Sequence, residues 1–409
     1  MTAREFDIVV LGATGFTGAL VAEYLLERYG SNGPLRWAIA GRSAPKLDAL
    51  VSRLGAPASD LKTIVADSFD DESLQRLARR SRVVLTTVGP YARYGAALVA
   101  ACAQNGTHYC DLAGEVQWVR RMIDSHQEPA AKSGARIVHC CGFDSVPMDI
   151  GAWYFQREAK RRYGAYCESI LLLVKAMQGA ASGGTLASVL NVIREARSDR
   201  AVARVLASPY GLNPEGQRQG PDGSDQRRVL FEPEAGTWTA PFVMATVNTR
   251  VVRRTHALQG FTYGKDFRYR EAVMTGKGAA GWIKATGITA GLNGFMLAAS
   301  FATTRAALER FVLPKPGEGP GREAREAGYF NLMQVGRLPD GTIIRGRITG
   351  DKDPGYGSTS KMLAECAVCL AMDDLDVGGG SLTPAAAMAA PLLARLQSNA
   401  GLTFELIDE

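Results

Sequence analysis

The clearest chemical signal in the sequence is a glycine-rich turn at residues 12–18, which reads Gly-Ala-Thr-Gly-Phe-Thr-Gly. It follows an apolar run at 6–11 and precedes a helix-like run at 19–29. The three glycines allow a tight turn, close backbone approach to a phosphate, and close packing of helix on strand. The N–H groups and the dipole at the start of a helix attract anionic phosphate. We therefore predict a dinucleotide pyrophosphate site here. Its contacts are assigned to Gly12, Thr14, Gly15, Phe16, Thr17 and Gly18.

The segment that follows the second strand-like run indicates which dinucleotide is bound. Residues 40–43 read Ala-Gly-Arg-Ser and contain no acid that could accept hydrogen bonds from a ribose 2′-hydroxyl. Arg42 can instead pair with a 2′-phosphate, helped by Ser43 and Lys46, although it could also be an ordinary exposed arginine. This pattern favours NADP over NAD. Asp67, after the third strand-like run, either meets the adenine edge or is a loop or helix-capping aspartate.

Two later strand ends supply candidates near the nicotinamide. The fourth strand-like run ends in a turn whose glycine permits close approach and whose proline is stiff. The cofactor contacts predicted in this turn are Val88, Gly89 and Pro90. Tyr91 either donates a proton or positions the substrate, or it is a packed loop aromatic. Asp144, after the sixth run, either contacts substrate or nicotinamide or belongs to the start of the next helix.

Six strand-like runs alternate with helix-like runs over the first third of the chain. The strand-like runs are 6–11, 36–40, 62–66, 82–88, 108–112 and 136–140. They are short and apolar, as expected when helices cover both faces of a parallel sheet. We predict an α/β fold in which a doubly wound parallel Rossmann-type sheet carries an inserted α+β second domain. The NADP-binding domain is placed at 1–146, completed by C-terminal helices at 357–398, and the α+β substrate or dimerisation domain at 147–356.

Within the second domain, the sequence predicts a strand at 169–176, helices over 183–207, and a long surface insertion at 208–236. Strand-like runs follow at 242–252 and 266–269. Two more, at 329–335 and 342–348, are joined by Pro-Asp-Gly, which indicates a hairpin.

Composition and motif searches narrow the classes of function. The 409 residues carry a net charge of +6, and their basic residues are scattered without interleaved aromatics, so nucleic acid is not expected as a partner. Seven cysteines form neither a disulfide framework nor a zinc site, and their usage fits a reducing cytoplasm. The N-terminus runs directly into a strand, so no signal peptide is expected. The sequence has no Tyr-x-x-x-Lys, Gly-x-Ser-x-Gly or His-Glu-x-x-His pattern that would assign catalytic groups.

The longest uncharged run spans residues 285–304 and lies between Lys284 and Arg305. Three glycines and an asparagine weaken it as a membrane-spanning helix. It either lines an acyl channel or lies on a membrane surface, or it is a buried helix or an oligomer interface. We expect a cytoplasmic protein. Peripheral contact with the inner face of the plasma membrane and a homodimer stay open.

Several motifs, taken together, resemble those of the saccharopine dehydrogenase-like oxidoreductases. Besides 12–18 and 40–43, the matching segments are 87–91, 94–95, 109–115, 141–147, 182–185, 248–250, 315–317 and 382–388. Within that family the sequence is most similar to the mycobacterial trans-acting enoyl reductases. The likeness extends over essentially the whole chain.

The resemblance implies an NADPH-dependent reductase. Its substrate would be an unsaturated, lipid-like acyl chain carried by a polyketide synthase, with hydride transferred to the β-carbon. A saccharopine dehydrogenase-type imine oxidoreductase is the first alternative. Such an enzyme needs clustered arginines for substrate carboxylates, which Arg250, Arg253 and Arg254 could supply unless they lie on the solvent face of a strand. A non-catalytic NADP-binding sensor or scaffold is the second alternative.

Overall fold

The computed structural model describes residues 4–179, 183–311 and 319–407. Two segments of the resemblance reach beyond these ranges. Ser182 of the 182–185 motif and the whole 315–317 motif lie outside the described residues.

The described chain alternates strands and helices along most of its length. The strands are β1 (Phe6–Leu11), β2 (Trp37–Gly41), β3 (Lys62–Val65), β4 (Ser81–Thr86), β5 (His108–Cys110), β6 (Arg136–Val138), β7 (Ser169–Gln178), β8 (Leu230–Glu232), β9 (Thr237–Pro241), β10 (Arg268–Gly276), β11 (Tyr329–Arg337), β12 (Ile343–Gly350), β13 (Gly380–Leu382) and β14 (Leu402–Ile407). The helices are α1 (Phe16–Tyr29), α2 (Ala44–Leu54), α3 (Asp71–Arg80), α4 (Tyr91–Tyr94), α5 (Ala96–Asn105), α6 (Val116–Ser133), α7 (Val146–Tyr163), α8 (Gly183–Ser198), α9 (Arg200–Ala207), α10 (Ala245–Leu258), α11 (Gly278–Ser300), α12 (Ala302–Phe311), α13 (Arg322–Glu326), α14 (Thr359–Met372) and α15 (Pro384–Ser398). A 3-10 turn lies at Ala56–Ala58 and a π turn at Pro354–Ser358.

The first sheet is parallel and follows the order β13-β6-β5-β4-β1-β2-β3. Strand β1 pairs with β2 on one side and with β4 on the other, so the strand order changes direction between β1 and β4. In sheets of this kind the ligand crevice opens at the carboxyl ends of the strands, at that point. The predicted α/β fold is confirmed, and the six predicted strands are present. The short seventh strand, β13, was not predicted.

Helices cover both faces of this sheet because alternate residues of each strand point to opposite sides. Ile8 and Val10 of β1 pack in one apolar cluster with α1, α2, α14 and α15. Val9 and Leu11 pack in another with α3, α5 and α6. The C-terminal helix α14 is also tied to α1 by hydrogen bonds, since buried Glu365 accepts from the hydroxyls of Tyr24 (2.6 Å) and Tyr29 (2.7 Å).

The second sheet has the order β14-β12-β11-β7-β10-β9-β8. Strands β7 and β10 are parallel, and the other neighbours are antiparallel. The predicted hairpin is present as β11 and β12. Helix α7 connects the two sheets and packs Phe155 against glycines 336 and 346, where a Cβ would lie within 2.4 and 2.7 Å of the ring.

One prediction for the second domain is wrong and another is incomplete. The run 242–252, predicted as a strand from its β-branched residues, lies largely in helix α10. Because α10 is buried around nearly its whole circumference, burial there does not follow the helical period that distinguishes helix from strand. The segment 208–236, predicted as a surface insertion, also contributes buried Leu212 and Asn213. It therefore packs against the core as well as facing solvent.

Candidate active site

The glycine turn connects β1 to α1 at the edge where the crevice is expected. Gly12 has a φ of +88°, and a Cβ there would lie 2.7 Å from Val88 Cγ2. A Cβ at Gly18 would lie 2.2 Å from the carbonyl oxygen of Gly12, so the helix packs too closely on the turn for any side chain. Gly15 is the N-cap of α1, and no side chain among the described residues caps this helix. Its first N–H groups therefore face the crevice as an anion-binding site.

The Arg42 loop lies beside this turn. Gly41 ends β2, and a Cβ there would contact Thr14 Oγ1 at 3.5 Å. Arg42 is exposed, and it forms no ion pair within the described part of the chain. Ser43 is the N-cap of α2, and Lys46 is exposed in the first turn of that helix. The loop thus presents two cations and a hydroxyl next to a helix N-terminus, which fits a 2′-phosphate.

Asp67 has a local partner at the end of β3. Its Oδ1 accepts a hydrogen bond from the N–H of Phe69 (3.0 Å), while Asp70 caps α3 by accepting from Ser73 N. The Phe69 ring is exposed and packs edge-on against Tyr94. Asp67 thus shapes the turn that carries an exposed aromatic ring at the rim of the crevice.

The loop that follows β4 is held against the glycine turn. The Thr87 N–H donates to the Leu11 carbonyl (3.1 Å), and Thr87 Oγ1 donates to the Gly12 carbonyl (3.2 Å). These bonds place Val88 directly over Gly12, as the close Cβ approach there also shows. Gly89 and Pro90 follow, joined by a cis peptide bond. The structure therefore brings residues 88–90 and 12–18 together at one edge.

Tyr91 lies beneath this loop with its hydroxyl fully engaged. The side chain is buried, its hydroxyl donates to the Thr86 carbonyl (3.2 Å), and the hydroxyl oxygen accepts from Leu112 N–H (3.1 Å). Burial raises the pKa of Tyr91 well above its usual value. These contacts fit the packed loop aromatic and argue against Tyr91 as a proton donor.

Glu115 anchors the same loop, a role that sequence reasoning missed. Its carboxylate is buried and accepts hydrogen bonds from the N–H groups of Tyr91 (2.7 Å) and Ala92 (3.1 Å). Ser188 of α8 donates to it from the second domain (3.2 Å). Burial raises its pKa. The sequence shows only a glutamate just past the end of β5. Its hydrogen-bond partners lie far away in the sequence, so no local pattern indicates its role.

Asp144 stands alone at the carboxyl end of β6. It lies in the turn between β6 and α7, it is half-buried, and within the described residues its carboxyl group has no hydrogen-bond partner. Burial raises the pKa of Asp144 from 3.8 to about 7. A carboxyl group in this state is partly protonated at neutral pH and can donate or accept a proton.

The neighbouring Ser145 is fixed by a buried polar chain. It has a φ of +130°, and its Oγ donates to Asn248 Oδ1 of α10 (3.2 Å). Asn248 Nδ2 donates in turn to Glu271 Oε2 (3.0 Å), and Tyr269 also donates to that carboxyl group (3.0 Å). Burial raises the pKa of Glu271 from 4.5 to about 8. Ser145 occupies the N-cap position of α7 but makes no side-chain cap, so its side chain serves the contact between domains.

Residues of the C-terminal part of the chain pack against the turn after β6 and against the glycine turn. The Phe143 N–H donates to Thr359 Oγ1 (3.0 Å), and a Cβ at Gly142 would lie 3.2 Å from Thr359 Cγ2. The Phe16 ring packs edge-on against Tyr356 and lies under the guanidinium of Arg325. Phe16 therefore packs against the π turn, which adds a packing role to its predicted place in the cofactor turn.

The three arginines of α10 are buried structural residues, so both sequence interpretations of them are wrong. Arg250 pairs with Asp225 (2.6 Å) and Arg253 with Asp222 (2.6 Å). Arg254 donates to the backbone carbonyl of Ser381 (2.6 Å). These contacts tie the 208–236 segment and β13 to α10, because buried charges need partners. None of the three is free to bind a substrate carboxylate.

The residues at the carboxyl edge of the first sheet fit a bound NADP. The uncapped start of α1 fits the pyrophosphate, the unpaired Arg42 fits the 2′-phosphate, and the carboxyl edge above β4 and β6 holds Asp144. Nothing in the described ranges forms a group of three or more metal ligands, and none of the described helices is long and apolar enough to cross a membrane.

Comparisons with known proteins support an NADP-binding domain and define the family. Residues 8–138 match the family model of the saccharopine dehydrogenase NADP binding domain. The chain is 42% identical over 406 residues to the trans-acting enoyl reductase of Mycobacterium tuberculosis (strain ATCC 25618 / H37Rv), with 96% of each chain covered. It is 41% identical over 405 residues to that of Mycobacterium ulcerans (strain Agy99), again with 96% of each chain covered. Among solved structures, apo saccharopine dehydrogenase (L-Glu forming) from Saccharomyces cerevisiae is similar in fold, with a TM-score of 0.54 at 13% identity, covering 98% of this chain and 99% of that one.

The fold and the site define an NADP-dependent oxidoreductase with a saccharopine dehydrogenase-type cofactor domain. Within that class, the chain belongs to the trans-acting enoyl reductase family.

Proposed function

We propose that this protein reduces the carbon–carbon double bond of an α,β-unsaturated acyl thioester with NADPH. The acyl group is lipid-like and is carried by a polyketide synthase. The name shared by the relatives supports enoyl reduction in trans. The observation that carries the proposal is Asp144, an unpartnered carboxyl group at the carboxyl end of β6 whose pKa is raised by burial to about 7.

The reaction divides the work between cofactor and protein. When bound, NADPH supplies a hydride, which the β-carbon accepts. The resulting charge on the α-carbon and the thioester oxygen requires one proton, which we assign to the Asp144 carboxyl group. The predicted contacts at 12–18, 42, 43, 46, 67 and 88–90 hold the cofactor, and Glu115 fixes the 88–92 loop by its backbone N–H groups. Tyr91 is not part of the proton transfer in this proposal.

The imine oxidoreductase alternative loses its basis in this chain. Such an enzyme needs clustered arginines for the substrate carboxylates, and the three candidates, Arg250, Arg253 and Arg254, are buried and engaged in structural contacts. The likeness to saccharopine dehydrogenase, at 13% identity, concerns the fold alone. A hydrophobic acyl substrate needs no such arginine cluster.

We propose a division of the chain into 1–146 with 357–398 and then 147–356. Strands β1–β6 and β13 of the first sheet fall in the first part, and β7–β12 of the second sheet fall in the second part. Strand β14 lies beyond both ranges and pairs with β12. The partner is a synthase-bound acyl chain rather than a free amino acid. The run at 285–304 lies mostly in α11, which is exposed over most of its length and is therefore not a buried helix.

The test is NADPH oxidation with a short trans-2-enoyl thioester of pantetheine, alongside a panel of 2-oxo acids with lysine. We expect turnover with the enoyl thioester alone. Asp144→Asn should lower kcat by at least about a hundredfold while leaving the Kd of NADPH nearly unchanged. Asp340→Asn, an equivalent change on the exposed β11–β12 turn, is the control. Turnover only with the oxo acid panel would overturn the enoyl assignment, and full activity of Asp144→Asn would remove its role.

A further inference from the structure

Helix α11 is long, apolar and largely uncovered. Its twenty-three residues include one charged side chain, Lys284, and three buried residues. Large apolar side chains on it and directly after it are about half exposed or more: Trp282 (48%), Ile283 (62%), Leu297 (63%) and Phe301 (53%). Exposed apolar groups on this scale mark an interaction surface in a folded protein.

Protein packing buries residues of α11 only near its two ends. Gly281, Ala285 and Ala299 recur at helical spacing and are buried, and Phe295 packs with α8 residues beside Ala299. This face contacts β9, β10, α8 and α12. Trp282, Ile283 and Leu297 lie within one arc on the other side and are exposed, while Phe301, directly after the helix, lies under the guanidinium of Arg197 from α8.

The charged residues within α11 and directly beside it in the sequence have one sign. Between Glu271 and Glu309 the sequence contains no acidic residue, while Lys277, Lys284 and Arg305 are basic. Lys277 and Lys284 are exposed. An apolar face bordered by cations is complementary to a surface that offers anionic head groups above acyl chains.

The area of the face argues against a second copy of the chain as its sole occupant. A helix of this length spans about 34 Å and is about 10 Å wide, so a helix-on-helix contact covers roughly 700 Å² on the two partners together. Stable dimers bury roughly 1,200 Å² or more. A bilayer surface has no such minimum, since binding grows with each apolar side chain inserted.

We propose that α11 docks this protein on the surface of an anionic lipid bilayer. The helix lies parallel to the membrane, with its exposed arc in the boundary between head groups and acyl chains. The proposal is independent of enoyl reduction and holds for any substrate.

With α11 docked in this way, the cofactor crevice lies on the side of the protein that faces the membrane. Strands β7 and β10 are parallel, so the chain leaves both at the same edge of the second sheet, towards α8 and α11 respectively. Helix α8 packs on α11 and also reaches the cofactor loop through the bond from Ser188 to Glu115. A docked α11 therefore holds the crevice close to the lipid.

The experiment is flotation of the full chain with vesicles of phosphatidylcholine and phosphatidylglycerol in about equal parts, and with vesicles of phosphatidylcholine alone. The test variant is Ile283→Ser with Leu297→Ser. The matched control is Met372→Ser, which removes a 45% exposed apolar side chain at the end of α14. Binding of NADPH by each variant reports that it is folded.

We expect the wild-type protein and Met372→Ser to float with anionic vesicles and to float less with neutral ones. The double variant should bind vesicles at least about tenfold more weakly while binding NADPH normally. Failure of the wild-type protein to float, or equal flotation of the double variant, would overturn the proposal. So would a wild-type dimer in light scattering that the double variant converts to monomer, because the face would then belong to a second copy. Enoyl turnover is a separate readout, so its loss leaves the membrane result interpretable wherever the variant still binds NADPH.

Discussion

Replacing Arg42 by alanine should change the preference of this enzyme between NADPH and NADH. Arg42 is exposed beside the glycine turn and forms no ion pair in the described chain, so its guanidinium is free to bind a 2′-phosphate. A hydrogen bond to a charged group contributes about 1.5–3 kcal/mol. Because solvent and salt screen an exposed contact, we expect the lower half of that range, which corresponds to roughly 10- to 50-fold in Kd.

The assay is the Kd of NADPH and of NADH by titration calorimetry at two salt concentrations. Arg42→Ala should weaken NADPH by this factor and leave NADH nearly unchanged, with a smaller loss at high salt. Arg53→Ala, at the far end of the same helix, is the control for a general loss of positive charge. Equal weakening of both cofactors, or an equal effect of Arg53→Ala, would refute the assignment of Arg42 to the 2′-phosphate.

Three further outcomes follow from the packing. Gly18→Ala should abolish NADPH binding or folding because its Cβ would lie 2.2 Å from the Gly12 carbonyl oxygen. Gly41→Ala, whose Cβ would make only ordinary contacts, should fold and is the control. Thermal unfolding distinguishes the two variants, and an unaffected Gly18→Ala would contradict the structure. Asn248→Ala should lower the free energy of unfolding by about 1–3 kcal/mol, since Ser145 and Glu271 lose their shared partner; no loss in urea unfolding would contradict this. Glu271 keeps its proton in the folded state up to about pH 8, so its contribution to the free energy of unfolding is complete below pH 4.5 and is lost as pH rises through 8. Glu271→Gln should flatten this decline of the free energy of unfolding with pH, measured by urea unfolding. An unchanged slope would contradict the prediction.

The value of kcat should fall with rising pH, as the stability contribution of Glu271 does, but for a different reason. Asp144 must be protonated to act as the acid, so kcat should fall as pH rises through about 7. A stopped-flow profile of the reduction step checks this, and Asp144→Asn should show a low, flat profile. A profile that rises through the same range would assign the opposite role, general base, to this carboxyl group.

The cofactor edge could be predicted from sequence because its chemistry is local. The turn at 12–18 and the Arg42 loop each have their signal within a few neighbouring residues, and the parallel sheet then brings them together. Asp144 was named from the same argument, since it follows β6. The alternation of short apolar strands with helices was likewise sufficient for the fold class.

The parts that were missed depend on contacts between distant segments. Glu115 reaches Tyr91 across 24 positions and Ser188 across 73, and Phe143 reaches Thr359 across 216, so no local pattern shows these bonds. The β-branched residues of α10 favour a strand, whereas tertiary burial stabilises the helix. The short strand β13 has three residues and pairs with β6 only through long-range folding.

The most direct test of the central claim is the fate of the hydride. The enzyme is incubated with NADPH deuterated at the transferable position of C4 and a trans-2-enoyl thioester, and the product is examined by mass spectrometry and NMR. Enoyl reduction predicts a saturated thioester with deuterium at the β-carbon and a solvent proton at the α-carbon. Deuterium at the α-carbon, or no saturated product while an imine of a 2-oxo acid is reduced, would contradict the account.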